Sequence, residues 1–490
     1  TMHAHAQRLV RLCIAAVSPL RASPSLLRSF RAFGAPSLRS MSTSMETHKE
    51  EVASLFSTSL PRPHIDYRML KERREEMVDN IRRRGVDVAD VDEVIKLYDR
   101  TRRIKTEQNN LRNRRNDVAK ELASISALGG EDGERKKEAL IEEGKQLREK
   151  VAETEAELRE VEELLLAEAL TLPNFTHPAA PSGEVEVELR KWGGEKKFDF
   201  EPKHHLEIAE KLGLVNFEAA ASSTGSKFVY FLGDGALLEM ALVNFALAKV
   251  TSKGMTAVLG PDVARLGVVR ACGFQPRSDA EQVYTVKDHD LALVGTAEIP
   301  LMALNMNKIV QKEELPIRLG GYGRCFRVEA GSAGLMEKGL YRMHQFSKVE
   351  MVSLVEPADS EEELLRLVSI QEEILQELEL PYRVIDMPAN DLGAPAARKI
   401  DIEGWMPSRG YGELTSASDC GDYQTRRLQS RYKYAKKDNR YLHSLNATAC
   451  AVPRTILAIL ENHQTEDGRV RIPPSLSPFL GGRQYLSPLS

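Results

Sequence analysis

Arginine, glutamate and hydroxyl side chains are concentrated in three stretches of the second half of the chain, where they could bind a charged ligand. The stretches cover residues 294–300, 323–350 and 412–454. Alternation along a predicted strand at Phe326–Glu329 places Arg327 and Glu329 on one face. An arginine there can bind a carboxylate or phosphate through two N–H groups, and the glutamate can accept from an amine. A cross-strand ion pair is the alternative, and it is the commoner arrangement for two such residues taken alone.

The same two interpretations apply to Thr296 with Glu298 and to Glu350. The chain contains no GxxxxGK followed by Ser or Thr, and no GxGxxG that opens a helix after a strand. If ATP binds here, it therefore uses neither a P-loop nor a Rossmann turn.

Together the three stretches resemble the class II aminoacyl-tRNA synthetases and, within them, the seryl-tRNA synthetases. The segments that carry the resemblance are Phe245–Pro261 for the dimer-forming motif 1, Arg324–Gly331 for motif 2, Asn446–Glu461 with Arg454 for motif 3, and Thr296–Glu298 and His344–Glu350 for the seryl branch. The resemblance extends from about residue 63 to about residue 482. It implies a ligase that activates L-serine with ATP and Mg²⁺ and then transfers it to tRNA(Ser), with tRNA(Sec) as a second candidate.

The resemblance also implies the residues of the site. The catalytic residues would be Arg327, Arg454 and Glu413, with Glu413 holding Mg²⁺. The residues expected around ATP are Arg327, Val328, Glu329, Met343, Phe346, Glu413, Leu414, Thr415, Ser416 and Arg454. The residues expected around serine are Thr296, Ala297, Glu298, Arg327, Glu350, Asn446 and Thr448.

Individual roles follow from the same resemblance. Arg327 would hold the α-phosphate and the serine carboxylate, and Arg454 would bind the γ-phosphate and stack on adenine. Phe346 would cover the other adenine face. The remaining roles are Glu329 and the Met343 backbone for the adenine edge, Ser416 beside the phosphates, Thr296 and Glu298 for the serine ammonium, and Glu350, Asn446 and Thr448 for its hydroxyl.

Three departures from the family pattern stand out. Ala447-Thr448-Ala449 replaces the usual Gly-Ser-Gly, with the hydroxyl kept, and Pro453 replaces a common glycine. The loop 334–339 carries Leu335 and Met336 where the family usually has polar residues that contact the acceptor end of tRNA. Recognition of the acceptor stem is therefore expected to differ here.

The segment that must position these residues, 201–482, is predicted to be an α+β domain. A Pro-rich linker over residues 173–200 precedes it, and a short tail over residues 483–490 follows it. Short strand-like runs at Phe228–Leu232 and Leu291–Val294 stand among helical stretches at Ala236–Val250 and Glu361–Glu377. The absence of a regular β-α-β repeat favours a mostly antiparallel sheet.

The segment 63–172 is expected to form a long helical arm. Its first helix repeats apolar residues every seven positions, and a second stripe follows a Gly129-Gly130 turn. These residues are Leu97, Ile104, Leu111, Val118, Leu140, Leu147, Val151, Leu158, Val161 and Leu165. The spacing predicts two antiparallel helices packed as a coiled coil.

Charge is unevenly distributed along this arm, with a basic first helix and an acidic second helix. One interpretation is a solvated hairpin whose helices pair by opposite charge. The other is a basic ridge along a phosphate backbone, which the resemblance assigns to tRNA. The candidate tRNA-binding residues are Arg102, Arg103, Arg112, Arg114 and Arg115. A homodimer is expected, in which one subunit's arm serves the other subunit's site.

Composition bounds the remaining possibilities. The formal net charge of -4 gives no global basic signature. Five cysteines without a C-x-x-C pair argue against a zinc ribbon and fit a reducing compartment. Because no cysteine or further histidine lies at ligand spacing, His204, His205 and His344 are interpreted as structural rather than metal-binding. The sequence contains no uninterrupted run of about 20 apolar residues, so no membrane span is predicted.

Residues 1–45 are rich in arginine and serine and contain no acid, which is typical of an organellar transit peptide. A disordered basic tail is the alternative. We expect mitochondrial import, with the plastid, or a cytoplasmic form started at Met41 or Met45, as alternatives. For function, the alternative is a non-catalytic paralogue that binds RNA or protein; loss of Arg327, Glu350 or Arg454 would favour it, but all three are present.

Overall fold

The computed structural model describes residues 60–125, 131–274, 283–329 and 339–486. The predicted transit peptide, the Gly129-Gly130 turn, residues Leu335 and Met336 and the last four residues of the predicted tail lie outside these ranges. The α-helices are α1 (Tyr67–Glu72), α2 (Arg74–Arg83), α3 (Val91–Ile125), α4 (Glu131–Thr171), α5 (His205–Lys211), α6 (Phe217–Ser223), α7 (Gly233–Ser252), α8 (Leu266–Ala271), α9 (Glu298–Ala303), α10 (Ser360–Glu377), α11 (Tyr423–Leu428) and α12 (Val452–Asn462).

The strands form one large sheet and several small ones. They are β1 (Val187–Trp192), β2 (Val215–Asn216), β3 (Tyr230–Phe231), β4 (Thr256–Leu259), β5 (Val263–Ala264), β6 (Ala292–Leu293), β7 (Ile309–Gln311), β8 (Ile317–Phe326), β9 (Gln345–Val355), β10 (Tyr382–Asp386), β11 (Arg398–Met406), β12 (Gly410–Asp419), β13 (Arg431–Ala435), β14 (Asp438–Tyr441), β15 (His443–Ala451), β16 (Val470–Arg471) and β17 (Tyr485–Leu486).

The large sheet has eight strands in the order β1, β10, β11, β12, β15, β9, β8, β4. Every neighbouring pair is antiparallel except β4 with β8, which is parallel. The mostly antiparallel α+β fold expected from the sequence is confirmed. Central strands such as β9 can be apolar on both faces because helices and further chain cover both sides of the sheet.

Alternation along β9 separates the two faces of this sheet. Val349 and Met351 belong to the largest apolar core, which is shared with helices α7, α10 and α12. Val352 belongs to a second core, which includes residues of α8, α9 and the end of α4. Glu350 lies on the same face as Val352, since side chains two apart on a strand point the same way. The sheet therefore presents Glu350 on the face opposite the main core.

The arm consists of α3 and α4, which pack along each other as the heptad spacing predicted. Leu97, Ile104 and Val118 are buried on α3, and Leu140 and Val161 are among the buried residues of α4. These side chains form two small apolar clusters along the hairpin. The hairpin is therefore held together by its own narrow seam.

Buried polar contacts join the segment before the arm to the segment after it and to the sheet domain. Arg84, which follows α2, donates to the carbonyls of Gly393 and Ala396 over 2.6 and 2.8 Å. Asn80 donates to the carbonyl of Asn174 over 2.9 Å. A charged donor with several carbonyl acceptors makes these contacts strong in a buried setting.

Two details differ from the sequence-based expectations. The region interpreted as a linker contains β1, which pairs with β10 at the edge of the large sheet. Val185, Val187 and Leu189 alternate with charged residues, a strand signal that the linker interpretation overlooked. Strand β8 ends at Phe326, and Glu329 has a φ of 44°, so the strand alternation invoked for Arg327 and Glu329 does not apply.

One helix among the described residues, α7, has the length and apolar composition that a membrane-spanning helix would need. Its residues Leu238, Leu242 and Val250 are buried in the main core. A helix buried in a protein core can have the same length and composition, so this observation supports no membrane assignment.

Candidate active site

Glu350 is the centre of one half of the site and is buried on β9. Its Oε1 accepts from the hydroxyls of Thr296 and Thr448 over 2.9 and 3.2 Å and forms an ion pair with Lys348. Among the described residues, no group donates to its Oε2. One carboxylate oxygen is therefore fixed by protein donors, and the other is left for a ligand.

Glu298 is the second carboxylate of this half, at the first residue of α9. Its Oε1 accepts from the side-chain amides of Gln424 and Asn446 over 2.6 and 2.9 Å. In the described part of the chain, no group donates to its Oε2 either. Burial, followed by the nearby charge of Glu350, raises the pKa of Glu298 to about 7 despite the hydrogen bond from Gln424.

The segment before α9 brings these groups together by close packing. A Cβ at Gly295 would lie 2.6 Å from the ring of Phe274, so only glycine fits there without a shift. Its carbonyl accepts from Arg327 Nε over 3.2 Å. The tight turn at Gly295 therefore positions Thr296 toward β9 and also orients Arg327.

The other half of the site carries cations and aromatic rings. The guanidinium of Arg327 lies over the ring of Phe346, 5.2 Å from its centroid. Arg454, on α12, lies 4.4 Å from the centroid of Tyr341, and Arg409 lies 3.7 Å from the same centroid. These contacts orient the two predicted catalytic arginines by cation–π attraction.

Glu413 connects this cationic half to β12. Its carboxylate forms an ion pair with Arg454 over 3.2 Å, and its carbonyl accepts from the same guanidinium over 3.0 Å. Burial alone would raise the pKa of Glu413, but the charges of Arg454 and Lys399 lower it to about 2. The carboxylate therefore stays ionised, as a hard oxygen ligand for Mg²⁺ requires.

Two residues of the predicted ATP group turn their side chains away from these cations. Thr415 donates to the backbone carbonyl of Thr448 and accepts from Gln371 over 2.6 Å, toward helix α10. Leu414 is part of the main apolar core. Only the backbone of these two residues can face a nucleotide.

The remaining predicted residues lie around the same groups. Glu329 forms an ion pair with Arg342 over 3.3 Å, and Met343 is buried. Ala297 is buried directly before α9, and Ser416 pairs with Asp401 across β11 and β12. The spacing of these residues in the sequence gave no indication of this cross-strand pairing.

Comparison with protein families gives two matches. Residues 283–463 match the tRNA synthetase class II core domain (G, H, P, S and T). Residues 65–176 match the seryl-tRNA synthetase N-terminal domain. The first match lies within the sheet domain, and the second covers the helical arm.

Whole-length relatives agree with these matches. The chain is 46% identical to the serine–tRNA ligase of Rubrobacter xylanophilus over 428 residues, which cover 86% of this chain and 99% of the relative. It is 43% identical to the serine–tRNA ligase of Streptomyces coelicolor, covering 87% of this chain and 100% of the relative.

The chain belongs to the seryl-tRNA synthetase family.

A solved structure of the family has the same architecture. The seryl-tRNA synthetase of Pyrococcus horikoshii complexed with ATP superposes with a TM-score of 0.79 at 36% identity, covering 87% of this chain and all of that one. The cytoplasmic serine–tRNA ligase of Naegleria fowleri in complex with AMP superposes with a TM-score of 0.74 at 27% identity. The class II fold expected from the motifs is confirmed.

Several site residues of this family member were not predicted from the sequence. Lys348 and Gln424 each contact one of the two carboxylates, and Tyr341 contacts Arg454. Lys348 lies two residues before Glu350, and this spacing on a strand was a signal that could have identified it. Gln424 and Tyr341 reach the site only through the tertiary fold.

The histidine pair also acquires a partner that spacing could not show. His204, His205 and Glu461 place possible ligand atoms within 4.8 Å of one another. Glu461 accepts from His205 Nδ1 over 2.9 Å and from the hydroxyl of Ser408 over 2.7 Å. These hydrogen bonds use the carboxylate to join α5, α12 and the turn after β11.

The arginines of the family's N-terminal arm fall into two groups. Arg112 pairs with Glu155 over 2.8 Å, and Arg114 pairs with Glu143 over 2.7 Å, so both join α3 to α4. Arg102, Arg103 and Arg115 form no ion pair within the described residues. Pairing of the helices by opposite charge is therefore confirmed for Arg112 and Arg114, and a role in phosphate binding stays a prediction for the other three.

Proposed function

We propose that this protein activates L-serine with ATP, forming seryl-adenylate and pyrophosphate, and transfers the seryl group to the 3′ end of tRNA(Ser). The observation that carries the proposal is the pair of carboxylates, Glu298 and Glu350, each held through one oxygen and with no donor to the other oxygen in the described part of the chain. Family membership supports the same reaction.

Serine recognition follows from the polarity of these two groups. The ammonium of serine is a cation, and Glu298 is a partly buried carboxylate with no ion pair among the described residues. The serine hydroxyl donates to Glu350, with Thr448 beside it, whereas Asn446, expected from the sequence at the hydroxyl, donates to Glu298. Alanine would leave Glu350 without that donor. A site of this kind typically discriminates against an analogue that lacks the hydroxyl by a factor of about 10⁴ or more.

Activation joins the serine carboxylate to the α-phosphorus of ATP and concentrates negative charge there. Arg327 offers its guanidinium to both groups, and Arg454 offers a second cation to the triphosphate. Phe346 and Arg454 supply the surfaces for adenine, and Glu329 and the Met343 backbone supply polar groups for its edge. No covalent enzyme intermediate is needed, since positioning and charge compensation suffice.

Mg²⁺ fits the residues on the phosphate side of the site. Glu413 is an ionised carboxylate. Ser416 lies three residues further along β12, past a register shift that leaves Leu414 without a partner on β11. These oxygen donors suit Mg²⁺, which would neutralise phosphate charge. Asp401 pairs with Ser416 across the strands, but its carboxylate forms an ion pair with Lys399 over 2.7 Å and burial raises its pKa to about 7, so it adds little negative charge there.

For tRNA, we propose that the arm lies along the phosphate backbone as a coiled-coil arm. Arg102, Arg103 and Arg115 supply the cations that remain available, while Arg112 and Arg114 hold the helices together. Recognition of tRNA(Sec) rests on the same surface. The unusual loop 334–339 would meet the acceptor end with fewer polar side chains.

A homodimer is proposed from the edge of the large sheet. β4 is the terminal strand on that side, and Leu259 is 82% exposed. Helix α7 adds exposed Leu237 and Met240, which lie three residues apart on one helical face. A strand edge with exposed apolar side chains is an expected place for pairing with a second copy.

The location in the cell is proposed from composition alone. The acid-free, arginine-rich residues 1–45 support import into mitochondria, with the plastid and a cytoplasmic form from Met41 or Met45 as alternatives. Mapping protein N-termini in fractionated cells tests this. Chains that begin near residue 41 in the cytosol, with none in organelles, would contradict it.

Serine-dependent exchange between ATP and labelled pyrophosphate tests the proposed reaction directly. We expect exchange that needs L-serine and Mg²⁺ and is not supported by alanine. A well-folded protein without exchange would instead favour the rival function, a non-catalytic paralogue that binds RNA or protein. Charging of tRNA(Ser) by the same preparation then tests the second step.

A further inference from the structure

We propose that Lys348 is a positioning residue that fixes the orientation of the Glu350 carboxylate toward the serine hydroxyl and thereby sets the preference for serine over alanine. The inference rests on the proposed function, because it assigns a role within the same serine site. It starts from the ion pair between Lys348 Nζ and Glu350 Oε1.

The strand geometry builds this pair into the sheet. Lys348 and Glu350 are two residues apart on β9, so both side chains point to the same face. Their neighbours on β8 are glycines, Gly323 beside Lys348 and Gly321 beside Glu350. A Cβ at Gly321 would meet Leu301, and one at Gly323 would meet Ala297, so the glycines let α9 and the residue before it pack closely on this part of the sheet. The side chains of Lys348 and Glu350 are 9% and 4% exposed.

The hydrogen bonds then decide which oxygen a ligand meets. Oε1 of Glu350 receives three donors, from Lys348, Thr296 and Thr448. Three donors occupy the lone pairs and fix the orientation of the carboxylate, so Oε2 is the acceptor that remains. Serine can donate a hydroxyl hydrogen to Oε2, and alanine cannot.

A cation is needed here because two carboxylates are close together. The negative charge of Glu350 is one of the causes that raise the pKa of the neighbouring Glu298. Like charges in a buried site favour protonation of one member. Lys348 forms an ion pair with Glu350 and none with Glu298, so it compensates the charge of Glu350 directly.

The two threonines alone would not give this result. Hydroxyl groups can donate to an ionised carboxylate and also accept from a protonated one. An ammonium group can only donate, so it excludes a proton from the oxygen that it contacts. Lys348 therefore fixes Oε1 of Glu350 as an acceptor, which the two hydroxyls alone would not do.

Serine-dependent pyrophosphate exchange with Lys348→Met tests the inference. We expect the KM for serine to rise about 10- to 100-fold, as for loss of a charged hydrogen bond, with the KM for ATP changed by less than about twofold. The ratio of serine-dependent to alanine-dependent exchange should fall, and Lys348→Arg should restore most of it. Equal rises in both KM values, or an unchanged serine KM, would overturn the inference.

A double-mutant cycle separates positioning from a merely structural role. In a Glu350→Gln background no charge needs support, so adding Lys348→Met should change the serine KM by less than about twofold. Effects that multiply independently would overturn the inference, even if Lys348→Met alone is poorly folded. Lys249→Met is the matched control, because Lys249 is 14% exposed and pairs with Glu373 and Glu377.

The outcome also separates this inference from the proposed function. If the unaltered protein shows serine-dependent exchange and Lys348→Met behaves like it, only the role of Lys348 fails. If the unaltered protein shows no exchange, the proposed function fails first.

Discussion

Asn446 donates to Glu298 through a 2.9 Å hydrogen bond that links residues 148 positions apart. The bond joins β15 to the first residue of α9 and fixes one oxygen of a carboxylate that has no cationic partner among the described residues. Glu298 is therefore suited to bind a cationic ligand group. Its pKa is raised because it is buried without a cation in contact.

The first prediction concerns serine binding as a function of pH. The pKa of Glu298 is about 7, and only the ionised form attracts the serine ammonium. We expect the serine KM to rise by about tenfold for each pH unit below 7 and to level off above it. Glu298→Gln should have a high serine KM that is independent of pH in this range. A wild-type serine KM that is constant between about pH 5.5 and pH 7 would contradict this assignment.

The second prediction uses the same group to report on stability. The folded pKa of Glu298 is raised above 4.5, so its contribution is fully present below pH 4.5 and is lost as the pH rises through about 7. Glu298→Gln avoids that loss. Without serine, its Tm relative to the unaltered protein should therefore be higher at about pH 8 than at about pH 5.5. Calorimetry checks this, and an equal difference at both pH values would refute it.

The third prediction assigns the cations of the site. Arg327→Ala should lower exchange by about 10² or more, because it removes a donor to charge that develops at the α-phosphate. Arg318→Lys is the control, since Arg318 lies at the opposite end of β8 and pairs with Glu363 over 2.6 Å. Exchange retained in Arg327→Ala would remove this residue from the proposed mechanism.

The fourth prediction concerns the aromatic support of Arg454. Tyr341→Ala should raise the KM for ATP by about tenfold, because the ring beneath the guanidinium is lost. Tyr341→Phe keeps the ring and should remain close to the unaltered protein. The serine KM should not change in either variant. An equal effect of both substitutions would mean that the hydroxyl, rather than the ring, matters.

The fifth prediction separates the two groups of arm arginines. Neutralising Arg102, Arg103 and Arg115 together should weaken tRNA binding and reduce the slope of log affinity against log salt by about 3. Neutralising Arg112 and Arg114 should change that slope less and lower the melting temperature, because they pair with α4. Pyrophosphate exchange should be unchanged in both. Loss of exchange in the first variant would contradict this division.

A matched pair of substitutions checks the proposed dimer. Leu259→Glu places a charge at the exposed sheet edge and should shift sedimentation from dimer to monomer. Leu189→Glu is the control, since Leu189 is also exposed, at 42%, but lies on β1 at the opposite edge of the same sheet. Dissociation in both variants, or in neither, would place the interface elsewhere.

The sequence by itself determined the two-part architecture. The heptad positions Leu97, Ile104 and Val118 predicted the seam of the arm, because helix packing depends on local periodicity. The motifs around Arg327 and Arg454 predicted a class II domain, which the fold and the relatives confirm. These features are local in the chain, so spacing alone could reveal them.

Only the tertiary structure decided how the site residues are paired. Gln424 reaches Glu298 across 126 positions, and Tyr341 reaches Arg454 across 113 positions. Thr415 faces helix α10 rather than the cations of the site, and strand β8 ends before Arg327. Such relationships depend on strand register, on bulges and on the packing of distant segments. No periodicity along the chain encodes these features, so the sequence indicated which residues form the site but not which oxygen of Glu298 and Glu350 remains open.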